Sequence, residues 1–159
     1  MTLRIERMPL DDPISTALID ELQADLDERY GVEDDGGVGW RAEVTADKVT
    51  PPDGAFLVAW WDDEPVGCGA VKRLDDGIAE IKRMYVAERG RRRGIARAML
   101  SRLEDEARSL GYERMQLETG EEQPEAVALY ASAGWSRIAP YGRYRDDPRS
   151  ICFAKDLSL

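Results

Sequence analysis

The sequence contains no histidine among its 159 residues. Without histidine the chain has no Ser-His-Asp or Cys-His catalytic group and no histidine metal site. Its two cysteines, Cys68 and Cys152, stand far apart without a CxxC spacing, so we expect neither a disulfide framework nor a metal site. Both are predicted to be small buried side chains. Acid–base chemistry must therefore come from Glu, Asp, Tyr, Lys, Cys or water.

Long apolar runs are also missing from the sequence. The longest covers seven residues, 55–61, whereas a helix that crosses a bilayer needs roughly 20. The first residues contain no apolar signal core either. These features predict no membrane association and no export, and with the cysteine usage they favour a cytoplasmic protein.

The net charge of −10 is unevenly distributed along the chain. Residues 11–35 contain ten acids and one base, whereas residues 82–93 contain six bases and one acid. An acidic chain argues against nucleic acid as a partner, because nucleic-acid binders usually carry a dominant basic face. The acidic stretch is typical of a solvated helix face, and the local basic patch favours a small anionic ligand.

Hydrophobic spacing predicts one α/β (α+β) domain over residues 1–159, built on a mixed sheet with helices on both faces. Strands are predicted at residues 3–8, 55–61, 66–74, 78–86, 113–119, 135–140 and 150–155. Helices are predicted to start at Pro13, Ile95 and Pro124 and to end at Gly31, Gly111 and Gly134. The second to fourth strands form an antiparallel meander, and residues 31–54 form a loop with one short helix.

A basic glycine loop follows the fourth strand and leads directly into a helix. Its residues are Arg91, Arg92, Arg93, Gly94, Ile95 and Ala96. The first turn of a helix presents unpaired N–H groups and a partial positive charge, and glycine lets an anion approach the backbone. The loop matches neither a Walker loop nor a Rossmann fingerprint. Its composition favours a phosphate site, and the alternative is a solvated basic turn.

Two spaced motifs resemble those of the GNAT N-acetyltransferases. The spacing Arg91-x-x-Gly94-x-Ala96 is similar to the acyl-CoA loop of that family, and Ala126-x-x-Leu129-Tyr130-x-x-x-Gly134-Trp135 is similar to its second signature. The resemblance covers roughly residues 66–157. It implies a GNAT-like, mostly antiparallel sheet and the transfer of an acetyl group from acetyl-CoA, the co-substrate, to a primary amine by direct attack. The acceptor is a small molecule or a protein, and a homodimer is a further expectation.

The resemblance also implies roles for individual residues. The backbone of Met84, Tyr85 and Val86 would pair with the pantetheine arm of the coenzyme, and the amides from Arg91 to Ala96 would hold its diphosphate. Tyr130 would protonate the departing thiolate, although the spacing of Tyr130 also fits an ordinary core residue. Gln123 stands where the family often has an Asn that contacts the coenzyme.

Two glutamates are candidates for the general base that the attacking amine requires. Glu80 lies on the strand before the loop, where some family members carry their base, and Glu118 lies on a later strand, where another branch carries a base. Pairing with Lys82, on the same face of the strand, or with Arg83 would make Glu80 an ion-pair residue, and Glu118 would alternatively hold a backbone or water network. Water or another residue is the third alternative.

The acceptor and the activity each have competing interpretations. The acidic segment favours a cationic acceptor such as a polyamine, whereas Arg143 or Arg145 would bind a carboxylate and favour an amino acid. The same residues also fit a non-catalytic acyl-CoA sensor, or an unrelated nucleotide-phosphate binder that uses the same loop.

Overall fold

Seven strands form one mixed sheet in the computed structural model, which describes residues 2–32 and 38–157. In chain order the strands are β1 (Leu3–Arg7), β2 (Ala55–Trp61), β3 (Glu64–Asp75), β4 (Ile78–Val86), β5 (Arg114–Gly120), β6 (Ser136–Ile138) and β7 (Ser150–Asp156). Across the sheet their order is β1-β2-β3-β4-β5-β7-β6. Strands β4 and β5 pair in parallel, and the other neighbours pair antiparallel. The predicted meander and the mostly antiparallel sheet are confirmed.

The helices cover both faces of this sheet, as predicted. They are α1 (Pro13–Tyr30), α2 (Val38–Ala42), α3 (Ile95–Ser109) and α4 (Pro124–Ser132). On β2 the side chains alternate: Leu57 and Ala59 join a core with α3 and α4, whereas Phe56 and Val58 join a second core with α1. In the described part of the chain no helix is long and apolar enough to cross a membrane.

Local sequence explains where α1 begins and ends. The Asp12 carboxylate accepts a hydrogen bond from the Ile14 N–H at 2.9 Å, Pro13 opens the helix, and the N–H of Gly31 closes it on Asp27 O at 2.8 Å. The following region differs from the prediction of a loop with one short helix. It contains α2 and a 3₁₀ turn, Ala46–Val49, whereas residues 33–37 lie outside the described part.

Strands β4 and β5 pair over only three residues before they part. Their parallel register runs from Ile78 opposite Arg114 to Glu80 opposite Gln116. Beyond that point β4 continues along β3, and β5 continues along β7. The sheet therefore opens between the C-terminal halves of β4 and β5, and this opening positions the site.

Candidate active site

A cleft of about 750 Å³ lies where β4 and β5 part. Its walls come from α1, α2, β4, β5, α4 and the segment before β7. Four of the residues predicted for catalysis or coenzyme binding line it: Met84, Glu118, Gln123 and Tyr130. Other lining side chains carry charge or aromatic surface, and they are Asp27, Tyr30, Trp40, Glu43, Lys82, Arg83, Arg143, Tyr144, Asp147 and Arg149. A concave space of this size is typical of a small-molecule site.

Tyr130 extends from α4 to the edge of this cleft. Its ring packs against Trp135 and Phe153, with centroid separations of 6.1 and 5.7 Å. Its hydroxyl donates to the Met84 sulfur at 3.7 Å. Burial, and secondarily the nearby Glu118 carboxylate, raises the pKa of Tyr130 well above its ordinary value. The phenol therefore stays protonated throughout the physiological range and is available as a proton donor.

Glu118 lies on the part of β5 that has separated from β4. It is half-buried, and its carboxylate accepts a hydrogen bond from the Ser150 hydroxyl at 2.7 Å. Burial raises the pKa of Glu118, although the Ser150 hydrogen bond and the positive charges of Lys82 and Arg143 oppose the shift. A carboxylate with a raised pKa is a stronger base, and this one faces the same cleft as the Tyr130 hydroxyl.

Glu80 occupies a different environment. Glu80 is 3% exposed and is not among the residues that line the cleft. The Tyr141 hydroxyl donates to one carboxylate oxygen at 2.5 Å, while the ammonium groups of Lys72 and Lys82 lie 3.7 and 3.6 Å from the other. Burial, and then the Glu80 charge, raises the pKa of Tyr141. Glu80 thus has the ion-pair surroundings that its sequence neighbours suggested.

The end of β4 leaves backbone groups free on the side of the opening. Met84, Tyr85 and Val86 continue beyond the last β4–β5 pair, so no described strand pairs with this edge. Unpaired edge groups of this kind can hydrogen-bond an extended ligand as an added strand would. The Val86 carbonyl already accepts a hydrogen bond from the Arg91 side chain at 3.1 Å.

The loop after β4 presents a row of free amides. Within the described ranges, the first backbone hydrogen bond of α3 runs from Ala98 N to Gly94 O at 3.1 Å, so no backbone acceptor occupies the N–H groups of residues 92–97. The Arg91 N–H is already bonded to Glu88 O. A Cβ added at Gly94, whose φ is +74°, would meet only open space. Such free N–H groups at a helix start, with space beside them, fit a diphosphate.

The side chains of the loop point in different directions. Arg91, Arg92 and Arg93 are exposed, with Arg91 4.0 Å from Asp25 and Arg93 stacked 4.9 Å over the Trp61 ring. Ile95 is buried in the core beneath α3, so only its backbone faces the ligand side. Ala96 is half-buried and small.

Gln123 lies immediately before α4, at the rim of the cleft. Its side-chain amide donates to the Tyr30 hydroxyl at 3.4 Å, and the Glu122 N–H donates to the same hydroxyl at 3.1 Å. A Cβ added at Gly120 would lie 1.9 Å from that hydroxyl, so a side chain there would displace the Tyr30 ring. Gln123 therefore ties the start of α4 to α1, and its side-chain carbonyl oxygen has no hydrogen-bond partner in the described part of the chain.

Ion pairs within the fold engage several acids of the acidic segment. Glu21 pairs with Arg89 at 2.6 Å, Asp20 with Arg41 at 2.7 Å, and Asp25 with Arg29 at 3.1 Å. Part of the negative charge on α1 is thus balanced by the basic residues of the protein itself. The acids at positions 33–35 lie outside the described residues.

One cluster in the cleft was not predicted from the sequence. Glu43 pairs with Lys82 at 3.5 Å and with Arg143, and Lys82 also donates to the Tyr144 hydroxyl. Beside them Arg83 stacks on Trp40. The spacing of basic residues on β4 was visible in the sequence, but their contacts depend on α2, whose position the sequence did not indicate. Arg145, an earlier candidate for carboxylate binding, is exposed and does not line the cleft.

Both cysteines are expected to resist alkylation in the native protein. Cys68 and Cys152 are each 0% exposed, and burial raises the pKa of the Cys68 thiol to about 12. Intact-mass measurement after iodoacetamide treatment near neutral pH should show no adduct on the folded protein and two on the denatured protein. A rapid single adduct on the native protein would contradict this and would identify a thiol accessible for covalent catalysis.

Comparison with known sequences finds acetyltransferases both among the family models and among the individual relatives. A family model described as Acetyltransferase (GNAT) family matches residues 16–135. An IAA acetyltransferase of Azospirillum brasilense is 37% identical over 150 residues, covering 94% of this chain and 94% of that protein. The uncharacterized N-acetyltransferase YsnE of Bacillus subtilis is 40% identical over 114 residues, covering 70% of this chain and 75% of that protein.

Solved structures give the same fold. A candidate acyl-CoA N-acyltransferase from Klebsiella pneumoniae matches with a TM-score of 0.80 at 27% identity, covering 99% of both chains. A GNAT family acetyltransferase from Elizabethkingia anophelis, solved with acetyl-CoA bound, has a TM-score of 0.67 at 18% identity and covers 97% of both chains. The second likeness concerns the fold alone.

Proposed function

The chain belongs to the GNAT family of acetyltransferases, and from this premise we propose that it transfers an acetyl group from acetyl-CoA to a primary amine by direct attack. The observation that carries the proposal is the cleft between the parted strands, which Tyr130 and Glu118 both line. A buried phenol and a carboxylate at one opening supply the proton donor and the proton acceptor that amide formation from a thioester requires. The acceptor is an amine of a small molecule or a protein.

Each proton in this reaction is assigned to a side chain of the cleft. Acetyl-CoA supplies the acetyl group as a thioester. Glu118 removes a proton from the acceptor nitrogen, because its carboxylate faces the cleft and its pKa is raised by burial. Tyr130 gives its proton to the departing sulfur, since its own pKa keeps the hydroxyl protonated. Glu80 serves the site by balancing Lys72 and Lys82 and is the second candidate for the base.

The coenzyme is assigned to the edge of β4 and the loop that follows it. Met84, Tyr85 and Val86 would pair with the pantetheine arm along the backbone edge that no described strand pairs with, where the Arg91 side chain now occupies the Val86 carbonyl. The amides of residues 92–96 would hold the diphosphate, with the exposed side chains of Arg91, Arg92 and Arg93 adding positive charge. The carbonyl of Gln123 stands at the rim of the cleft as a further contact. A homodimer and a cytoplasmic location stay predictions of the sequence.

Calorimetric titration with acetyl-CoA, with ATP as the control ligand, tests this assignment. We expect micromolar binding of acetyl-CoA and no binding of ATP at the same concentrations. Binding of both would favour a general nucleotide-phosphate site, and binding of neither by protein freed of carried-over coenzyme would contradict the proposal. Release of CoA thiol on addition of amines then separates a transferase from the acyl-CoA sensor, which would bind without turnover.

Replacing Gly94 by Glu is expected to weaken acetyl-CoA binding roughly tenfold or more, because a carboxylate would face the diphosphate at close range. Gly111 provides a matched control at the other end of α3: its φ is also positive, at +93°, and an added Cβ there also meets open space. Gly111→Glu therefore imposes similar backbone strain and the same charge, yet should leave the dissociation constant within about threefold. Equal weakening by the two variants would show a general effect on the helix and remove the loop from the site.

A further inference from the structure

Arg83 is a buried cation on an irregular part of β4. Cys68 lies opposite Tyr85 and Ala70 lies opposite Lys82, so one residue of β3 faces two of β4 at this point. Arg83 lies within this bulge, with φ +57°, and its side chain packs on Trp40 on the α2 side of the sheet. The residue is 8% exposed and contributes to the lining of the cleft. The bulge thus aims an arginine into the acceptor end of the site.

Within residues 2–32 and 38–157, most of the hydrogen-bonding capacity of Arg83 is unused. One guanidinium nitrogen donates to the Trp40 carbonyl, and the guanidinium carbon lies 3.7 Å from the Trp40 ring centroid. Among the described residues no carboxylate forms an ion pair with it. Glu43, the acid that acts on it most strongly, has one oxygen on Arg143 and the other on Lys82. Four of the five N–H donors of the guanidinium have no partner among the residues that the structure describes.

The charges around Arg83 favour an anionic partner. Burial lowers the pKa of Arg83 to about 10, and the neighbouring Arg143 acts in the same direction, whereas Glu43 and Tyr144 oppose it. A buried charge without a counter-ion is costly, and a ligand that supplies one binds more tightly for that reason. A planar guanidinium matches a carboxylate with two parallel hydrogen bonds. The acids of α1 that suggested a cationic acceptor are in part paired with the protein's own bases.

We propose that the acceptor amine carries a carboxylate and that Arg83 binds this carboxylate above the face of Trp40. This inference rests on the proposed acetyltransferase function and specifies its substrate class as an amino acid. Arg143 and Arg145, the residues suggested by the sequence, do not fill this role: Arg143 is paired with Glu43, and Arg145 is exposed away from the cleft.

The test compares amino acids with the amines that lack only their carboxylate. Glycine is paired with methylamine, β-alanine with ethylamine, γ-aminobutyrate with propylamine and phenylalanine with phenethylamine, with spermidine as an acceptor of the opposite charge class. The readouts are CoA thiol release and the mass of the acetylated product. We expect kcat/KM for at least one amino acid to exceed that of its paired amine about tenfold or more, in line with a charge-assisted hydrogen bond.

Variants then connect this preference to Arg83. Gln, like Arg, has a Cβ, so Arg83→Gln places the same steric strain on the positive φ at this position. The variant should reduce the amino-acid preference to within about twofold, mainly by raising KM for the amino acid. Arg83→Lys keeps the positive charge but cannot form the two parallel hydrogen bonds of a guanidinium, so it should retain part of the preference that Arg83→Gln loses. Arg149→Gln removes another arginine of the same cleft, one that lies 3.5 Å from Asp147, and should retain the preference. A loosened fold would raise KM for acetyl-CoA as well, so that value is measured for every variant.

The outcomes separate the two proposals. Acetylation of the paired amines or of spermidine at rates equal to or above those of the amino acids would overturn the carboxylate inference and leave the acetyltransferase standing. An undiminished preference in Arg83→Gln would overturn the role of Arg83. Absence of acetyl-CoA binding would contradict the proposed function itself. Binding of acetyl-CoA with no acetylation of either series would contradict the amino-acid assignment.

Discussion

Replacing Tyr130 by Phe is expected to lower kcat by about 1,000-fold while acetyl-CoA affinity stays within about threefold. The substitution removes only the hydroxyl that would protonate the departing sulfur. The ring that packs against Trp135 and Phe153 is retained, so the core beneath α4 should hold its shape. The one hydrogen bond lost is the long contact to the Met84 sulfur, which is too weak to affect stability strongly.

The control for this experiment is a tyrosine outside the cleft. Tyr112 donates its hydroxyl to Asp53 O and does not line the cleft. Tyr112→Phe should therefore keep kcat within about twofold. Both variants are assayed at saturating acetyl-CoA, and thermal unfolding confirms that each is folded. Equal turnover of Tyr130→Phe and the parent protein would mean that the leaving thiolate needs no proton from this residue.

Local patterns predicted the fold well, and they also located the loop to which we assign the coenzyme. Asp12 with Pro13, and Gly31 after the last turn, define a helix by short-range contacts, and the structure has α1 between them. Arg91 to Ala96 are consecutive in the chain, so a strand followed by a helix brings their amides together. Positions fixed by neighbouring residues in the sequence are the ones that sequence patterns describe best.

The sequence could not decide which of the two glutamates, Glu80 or Glu118, faces the cleft. Both lie on strands, and both alternate correctly with apolar neighbours, so their spacing does not rank them. What separates them is the point at which β4 and β5 part, just after Glu80 pairs opposite Gln116. Glu80 falls inside the paired part among lysines, whereas Glu118 falls beyond it in the cleft. That point depends on the register between strands distant in sequence.

Arg83 shows a second limit. A strict two-residue alternation along β4 would place Arg83 and Lys82 on opposite faces of the sheet. The bulge inserts one extra residue, and both side chains then reach partners on the α2 side, Trp40 for Arg83 and Glu43 for Lys82. Neither the bulge nor the position of α2 has a signal in the local sequence, so the cluster around Arg83 became visible only in the structure.

Replacing Glu118 by Gln is expected to lower kcat/KM for the amine about 100-fold near neutral pH. Gln keeps the size of the side chain and still accepts the Ser150 hydrogen bond, but it does not take up a proton. The acceptor must then lose its proton to solvent before attack. Because an alkylammonium has a pKa near 10, the free amine becomes more abundant as pH rises, and the deficit of the variant should shrink to within about tenfold near that pH.

Glu118→Gln should lower activity but, as pH rises, should increase the stability of the protein relative to the parent. Burial raises the pKa of Glu118 in the folded protein, so the folded state binds a proton more tightly than the unfolded state. The free energy of unfolding of the parent protein therefore falls as pH rises from the ordinary Glu range through the raised pKa. Glu118→Gln lacks this fall, so its stability relative to the parent should increase over the same window. Chemical denaturation at several pH values measures the difference.

Glu80→Gln provides the comparison that decides between the two carboxylates. It leaves Lys72 and Lys82 without the charge that now balances them, and we expect a loss of stability of about 2 kcal/mol. Its rate, measured below its unfolding temperature, should keep the pH dependence of the parent protein. The base is Glu80 if Glu80→Gln, and not Glu118→Gln, shows a large loss of kcat/KM near neutral pH that disappears at alkaline pH. A loss of kcat/KM in Glu118→Gln that is equal at every pH would show that Glu118 orders the cleft without taking the proton.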